Sequence, residues 1–182
     1  KICLDYYQKE MRHTLLQGEV EIDETHIFTE KKSKAPHRRY KLSSVWIFGM
    51  KERHSSKFLI IPTRNRDEGV LINLIRRHIK LNSKVYSDSF SVYVNNKQRI
   101  SRLAEHGYIH LFVNHKLEFV SQVSEEIHTN TIERLWREVK TELKKTRITT
   151  KYEMAIARFY FHKTLTKENQ LRILVNELIK FN

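Results

Sequence analysis

Residues 18–28, GEVEIDETHIF, decide the fold because their apolar and acidic side chains alternate along the chain. Val20 and Ile22 fall on one side and Glu21 and Asp23 on the other, which is the two-residue period of a β-strand. The stretch therefore predicts a first strand that buries Ile22 and presents Asp23 on its opposite side.

The following segments continue the pattern of a sheet with crossing helices. Two strand-like runs, 42–52 and 57–64, are separated by the polar RHSS and predict a three-stranded meander with a basic first loop. At residues 66–80, acidic residues followed by apolar residues at helical spacing predict a helix that crosses the sheet. The remaining elements are a fourth strand at 83–90, a short helix within 95–107 that ends at Gly107, and a fifth strand at 108–115 with Ile109, Leu111 and Val113 on one face.

An amphipathic helix follows at residues 129–146, and two further helices are predicted at 151–165 and 169–181. Right-handed crossovers and the pairing of consecutive strands leave few topologies for this order of elements. We therefore expect an α/β, ribonuclease-H-like fold, with a mixed five-stranded sheet flanked by helices and extra C-terminal helices. The apolar stripe of the amphipathic helix is Ile132, Leu135, Trp136, Val139 and Leu143.

Three carboxylates converge in this arrangement. The first and fourth strands lie side by side and parallel, so Asp23 and Asp88 approach each other near the carboxyl ends of the strands, where sites commonly form. The amphipathic helix carries Glu133 toward the same edge. Carboxylates this close repel one another unless cations neutralise them, and oxygen ligands suit Mg²⁺ or Mn²⁺. Two such ions about 3.5–4 Å apart support phosphoryl transfer.

Each acid also has a purely structural interpretation. Asp23 is expected at the surface beside Glu21 and Glu24 if it has no partner, and Asp88 suits a turn. Asn130 and Glu133 have the spacing of a capping box, in which the glutamate bonds back to the helix start. We retain Asn130 as the N-cap and assign Asp23, Asp88 and Glu133 jointly to a metal site.

The charge balance points to a polyanionic partner. Lys and Arg total 34 against 21 Asp and Glu, a net charge of +13. No apolar run is long enough to span a membrane, and one cysteine excludes a disulfide framework within these residues. We expect a soluble intracellular protein, in the nucleus if eukaryotic or in the cytoplasm and nucleoid if bacterial. The expected contacts with a nucleic-acid backbone are Lys31, Lys32, Lys34, Arg38, Arg39, Arg137, Lys140, Lys144 and Lys145.

Five motifs over residues 18–145 resemble the DDE transposases of the Merlin superfamily and the related bacterial insertion-sequence enzymes. They are GEVEIDETHI, VWIFGMKER, VYSDSF, GYIHLFVNH and HTNTIERLWREVK, in family order, and the last is the most specific. The resemblance implies a metal-dependent enzyme that nicks double-stranded DNA at transposon ends and joins a 3′-hydroxyl to target DNA. It assigns Asp23, Asp88 and Glu133 as catalytic residues.

The resemblance carries further expectations. Family members act as homodimers or larger assemblies, and some use an asparagine as the third ligand, which makes Asn130 an alternative to Glu133. We assign residues 1–17 to the end of an upstream helical segment and 18–182 to the catalytic domain, with C-terminal helices from about 150. Two alternatives stay open: a catalytically silent, transposase-derived DNA-binding protein and another ribonuclease-H-like nuclease.

Overall fold

A computed structural model describes residues 1–30, 42–95, 97–98, 100–113, 128–145 and 152–179. The chain forms two compact units. One comprises Lys1–His13, Ile27–Ser44 and Arg137–Asn182, and the other comprises Thr14–His26 and Val45–Trp136. The domain boundary expected near residue 17 stays a prediction.

The described residues form five α-helices and seven β-strands. The helices are α1 (Ile2–His13), α2 (Glu68–His78), α3 (Asn130–Lys145), α4 (Tyr152–Thr164) and α5 (Lys167–Ile179). The strands are β1 (Glu19–Glu30), β2 (Leu42–Glu52), β3 (Phe58–Thr63), β4 (Lys84–Asp88), β5 (Val94–Asn95), β6 (Ile100–Ser101) and β7 (Ile109–Val113). None of these helices is both long and apolar enough to cross a membrane.

The main sheet has five strands in the order β3, β2, β1, β4, β7. β4 is parallel to both β1 and β7, whereas β2 and β3 are antiparallel. This mixed order, flanked by helices, is that of the ribonuclease-H-like fold, so the predicted fold class is confirmed. It places β1 and β4 side by side in the middle of the sheet; β4 ends at Asp88, whereas β1 continues to Glu30.

The alternating pattern of β1 determines the core beneath the site. Val20 and Ile22 are fully buried, as the sequence predicts. Leu71, Ile72 and Ile75 of α2 are also buried, which explains the helical spacing of its apolar residues. Apolar burial of this kind contributes about 1.5–3 kcal/mol per large side chain.

The first compact unit has an aromatic core of its own. The Tyr6 ring of α1 meets the Phe161 ring edge-on, with ring centroids 5.4 Å apart. The ring centroids of Tyr7 and Tyr160 are 5.6 Å apart. Tyr160 and Phe161, both on α4, are buried. These side chains therefore pack in a core.

One detail of the sequence-based description is wrong. The short helix expected within residues 95–107 is instead the β5–β6 hairpin followed by a single 3-10 turn, Leu103–His106, which Gly107 ends in the left-handed conformation. This polar segment buries little besides Leu103, so it cannot stabilise a longer helix. Ile109 is 53% exposed, because β7 is an edge strand of the sheet.

Candidate active site

Asp23 and Asp88 stand level with each other on neighbouring strands. The parallel register of β1 and β4 pairs Glu19 with Lys84 and Glu21 with Tyr86. The pairing ends at Glu21 and Tyr86, and the same register extended by two residues sets Asp23 level with Asp88. Side chains alternate between the two faces of a sheet, so residues two apart on a strand share a face. Asp23 is therefore on the face of Glu21 and Asp88 on the face of Tyr86, which is the same face. The structure therefore brings together the first two predicted acids.

Asp23 is half-buried and strongly constrained. Its Oδ2 accepts a hydrogen bond of 2.8 Å from the Trp136 indole N–H, and the backbone N–H of Glu24 also bonds the carboxylate. Burial raises the pKa of Asp23 to about 6; the two hydrogen bonds lower it, and the charges of Asp88 and Glu133 raise it. Asp88 and Glu133 thus both lie within electrostatic range of Asp23.

Asp88 ends β4 and shapes the turn that follows. Its Oδ1 accepts the Phe90 N–H at 3.0 Å, so the turn-forming role anticipated for this aspartate is real. Ser87 and Ser101 each bond the His110 ring at 2.8 Å, and burial lowers the pKa of His110 to about 4. A neutral imidazole therefore braces the strand end that presents Asp88.

Glu133 occupies the first turn of α3 and is exposed. Its Oε1 accepts a hydrogen bond from the Thr129 hydroxyl at 3.3 Å, and its N–H donates to the Thr129 carbonyl. Asn130 is the first helical residue and donates its N–H to His128 Nδ1. The assignment of Asn130 as N-cap is therefore wrong, because the helix begins one residue earlier than the capping-box spacing requires.

A different acid anchors the start of α3. Glu21 is fully buried and accepts the Ile132 N–H at 2.8 Å and the Arg53 Nε–H at 3.0 Å. Arg53 also donates to the His128 carbonyl and lies 3.4 Å above the Tyr86 ring. A carboxylate at a helix N-terminus satisfies orphan N–H groups and stabilises the helix. Glu21 and Arg53 thus fix the end of α3 that carries Glu133.

Gly49 of β2 makes the packing of α3 possible. A Cβ at this position would lie 2.5 Å from two carbon atoms of the Trp136 indole and 3.0 Å from Ile132. The missing side chain lets the indole lie directly on the strand, with its N–H at Asp23. Sequence analysis missed this role, because the only signal is a glycine inside a strand pattern, which marks close backbone approach.

Glu24 is a further acid that sequence analysis did not assign. It is half-buried, and the Tyr93 hydroxyl donates a hydrogen bond to its Oε1. The pKa of Glu24 is raised to about 7, chiefly by burial. The charges of Asp23 and Asp88 also raise this pKa, whereas the Tyr93 hydrogen bond and the charge of Arg66 lower it. Glu21 is buried and Asp23 and Glu24 are half-buried, so the interpretation of Asp23 as a surface acid beside them is wrong.

Residues 15–160, most of the chain, match the ISXO2-like transposase domain. The chain belongs to the ISXO2-like transposase family. The prediction of a DDE transposase is therefore confirmed. The chain is also similar to one in the crystal structure of the Mos1 mariner paired end complex with Mn, at 12% identity and a TM-score of 0.33. That match covers 96% of this chain and 60% of the other. No curated protein matches the sequence.

The oxygen donors of this transposase domain suit a hard divalent cation in their chemistry. Carboxylate oxygens are ligands of Mg²⁺. Asp88 accepts its hydrogen bond through Oδ1 and Glu133 through Oε1, and the Asp23 carboxylate accepts two N–H groups. Within the described ranges, however, no three His, Cys, Asp or Glu side chains are grouped closely enough to hold a metal ion. The assignment of Asp23, Asp88 and Glu133 as metal ligands stays a prediction.

The predicted DNA-backbone contacts of the transposase domain fall into three sets. Arg137, Lys140 and Lys144 are exposed on α3, as backbone contacts require. Lys145 ends the same helix, and its side chain lies outside the described part of the structure. The remaining predicted contacts lie outside the described residues; they are Lys31, Lys32, Lys34, Arg38 and Arg39.

Proposed function

We propose that this domain catalyses metal-dependent cleavage of DNA at transposon ends and transfer of the strand to target DNA. The observation that carries the proposal is the register that sets Asp23 level with Asp88, with Glu133 in electrostatic range. Membership of a transposase family supplies the reaction class. Asp23, Asp88 and Glu133 are the proposed catalytic acids.

These acids would hold Mg²⁺ or Mn²⁺. When bound, a pair of such ions activates the attacking oxygen and stabilises the leaving oxygen of an in-line phosphoryl transfer. The carboxylates must be ionised to serve as ligands, and the raised pKa of Asp23 means that bound protons compete with the cation. The hydrogen bond from Trp136 favours the ionised form and so favours ligation.

The residues around the acids position them. The bond to Trp136 orients the Asp23 carboxylate, and the Phe90 N–H orients Asp88. Glu21 and Arg53 hold the first turn of α3, on which Glu133 is carried. Positioning of this kind contributes to catalysis because small displacements of reacting groups reduce rates strongly.

The net charge of +13 supports double-stranded DNA as the partner. Exposed Arg137, Lys140 and Lys144 would contact phosphates, and Lys140 follows Glu133 by seven residues along α3. If around six residues touch phosphates, the logarithm of affinity should fall with the logarithm of salt at a slope of about −5. Synapsis of two ends would require a homodimer or larger assembly, acting inside the cell.

Nicking of a supercoiled plasmid tests the proposal. The wild-type protein should nick DNA with Mg²⁺ or Mn²⁺, and Asp88→Asn or Glu133→Gln should abolish nicking with unchanged thermal unfolding. Glu105→Gln is the matched control, because Glu105 is an exposed acid on the 3-10 turn. Nicking that survives in the Asp88 and Glu133 variants, or in chelator, would exclude the assigned site.

The same assay separates the alternatives. DNA binding without nicking in any divalent metal would identify a silent, transposase-derived DNA-binding protein. Cleavage of an RNA–DNA hybrid in preference to duplex DNA would identify a different ribonuclease-H-like nuclease.

A further inference from the structure

Aromatic rings pack against one arginine in the loop between β3 and α2. The Arg66 guanidinium carbon lies 3.7 Å from the Trp46 ring centroid and 4.8 Å from the Phe90 ring centroid. His26 stacks on Trp46 with ring centroids 4.4 Å apart and an interplanar angle of 28°. Contacts of a guanidinium with ring faces are cation–π interactions, and they restrict its orientation.

The ring contacts leave the donors of Arg66 unused. A guanidinium carries five N–H groups around its planar edge, whereas cation–π contacts occupy its faces. Among the residues that the structure describes, Arg66 forms no hydrogen bond and no ion pair within 4 Å. The side chain is half-buried. An arginine that packing orients and that forms no ion pair with an acid keeps all of its N–H donors for an anion.

Arg66 lies beside the acids of the candidate active site. Phe90, which contacts the guanidinium, is two residues beyond Asp88 and donates its N–H to that aspartate. The charge of Arg66 also reaches Glu24, which neighbours Asp23 in sequence. A DNA phosphate that approaches these carboxylates meets repulsion, so a fixed cation at their margin favours its binding.

We propose that Arg66, held between Trp46 and Phe90, binds a backbone phosphate of the DNA strand that enters the acidic site. The inference rests on the proposed function, because that function makes DNA the substrate. A planar guanidinium matches two phosphate oxygens, and its orientation by the rings reduces the entropy lost on binding. The ring contacts are therefore a positioning device for the arginine.

The test measures DNA binding as a function of salt. The probe is a random-sequence duplex of roughly 30 base pairs, with Ca²⁺ in the buffer and KCl varied from about 50 to about 200 mM. Arg66→Ala should weaken binding about tenfold. It should also reduce the magnitude of the slope of log affinity against log salt concentration by about one. Loss of packing alone would not change the number of phosphates neutralised, so the slope distinguishes a phosphate contact from a structural role.

Arg77→Ala is the matched control. Arg77 is exposed, whereas Arg66 is half-buried, and it lies near the end of α2, next to His78, whose carbonyl accepts the Leu16 N–H before β1 begins. It therefore lies toward the start of β1, before Asp23 along the strand. Removing this charge should leave affinity within about twofold and the salt slope unchanged.

Two further variants separate charge from orientation. Arg66→Lys retains the charge but not the planar fork, so it should keep the wild-type slope and lose about threefold in affinity. Trp46→Leu should behave in the same way, because it releases the guanidinium without removing it. Thermal unfolding of each variant reports its folding. Arg66→Gln, which removes the charge but keeps most of the side chain, carries the slope test if Arg66→Ala does not fold.

The outcomes for Arg66 and for the proposed function are distinct. Wild-type affinity and slope in Arg66→Ala, with metal-dependent nicking intact, would overturn the phosphate site alone. A reduced slope in Arg66→Ala, together with no nicking by the wild-type protein, would overturn the catalytic proposal and support the phosphate site. Absence of DNA binding by the wild-type protein would overturn both.

Discussion

The Trp136 indole N–H donates a 2.8 Å hydrogen bond to Asp23 Oδ2 and thereby joins α3 to the central strand of the sheet. The same indole lies against the backbone of Gly49. One tryptophan thus sets the position of a helix and orients a carboxylate on β1. Glu133 lies three residues before it, so the placement of two proposed catalytic acids depends on this contact.

Trp136→Phe tests the bond to Asp23. The variant keeps an aromatic ring but removes the donor, so the pKa of Asp23 should rise further above its ordinary value. Because protons then compete more strongly with the cation, the Mg²⁺ concentration for half-maximal nicking should increase about tenfold near pH 6. Raising the pH to about 8.5 should restore most of the loss. An unchanged Mg²⁺ requirement at both pH values would show that the bond does not support ligation.

Gly49→Ala tests the close approach of Trp136 to β2. The added methyl group would lie 2.5 Å from the indole, so the helix or the strand must shift. We expect a loss of about 1–3 kcal/mol in the free energy of unfolding, measured by urea denaturation, and reduced nicking. Gly69→Ala is the control: it lies in α2 with no atom within 4 Å of the added methyl, and it should be neutral or stabilising.

Glu21→Ala tests the anchor of α3. The substitution leaves the Arg53 side chain, which is 8% exposed, without the carboxylate that accepts its Nε–H. Removing one member of a buried pair costs about 3–5 kcal/mol. Glu19→Ala removes a partly exposed acid that contacts the same arginine at 3.9 Å, and it should cost less than about 1 kcal/mol. Equal costs for the two variants in thermal or urea unfolding would contradict the anchoring role of Glu21.

Glu24→Gln tests the burial of the unassigned acid. Burial raises the pKa of Glu24 from 4.5 to about 7, so the folded protein binds a proton that the unfolded chain releases in this range. Stability from this group is therefore present below about pH 4.5 and lost as pH rises through about 7. Measured in chelator, Glu24→Gln should unfold several degrees above the wild-type protein near pH 8 and at a similar temperature near pH 4. A pH-independent difference would show that the Glu24 carboxylate is not responsible.

Local patterns were sufficient for most of the fold. The alternation of Val20 and Ile22 with Glu21 predicted β1, and apolar spacing predicted α2 and α3. Prediction failed in the segment before β7, where a hairpin and a 3-10 turn replace a helix. Its few buried side chains leave no apolar period to distinguish the alternatives.

The candidate site was predictable in part. Topology alone set Asp23 beside Asp88, because β1 and β4 are adjacent and parallel. The roles of Glu21, Arg53 and Gly49 were not predictable, because each depends on a residue distant in the sequence. Arg53 bonds the carboxylate 32 residues before it, and Glu21 bonds a backbone N–H 111 residues after it.

The sequence by itself determined the order of the five strands of the main sheet, the helices that flank them and the excess of positive charge, and it proposed the three acids. Only the tertiary structure decided which of the acids support the fold and which of them lie where the proposed substrate would bind. Glu21 and Asp23 have the same charge and lie on the same face of one strand. They differ in what packs above them: an arginine and a helix N-terminus enclose Glu21, whereas Asp23 meets an indole N–H and two further acids. Burial with a cation fixes a carboxylate in place, and burial among other carboxylates raises its pKa and favours a bound metal.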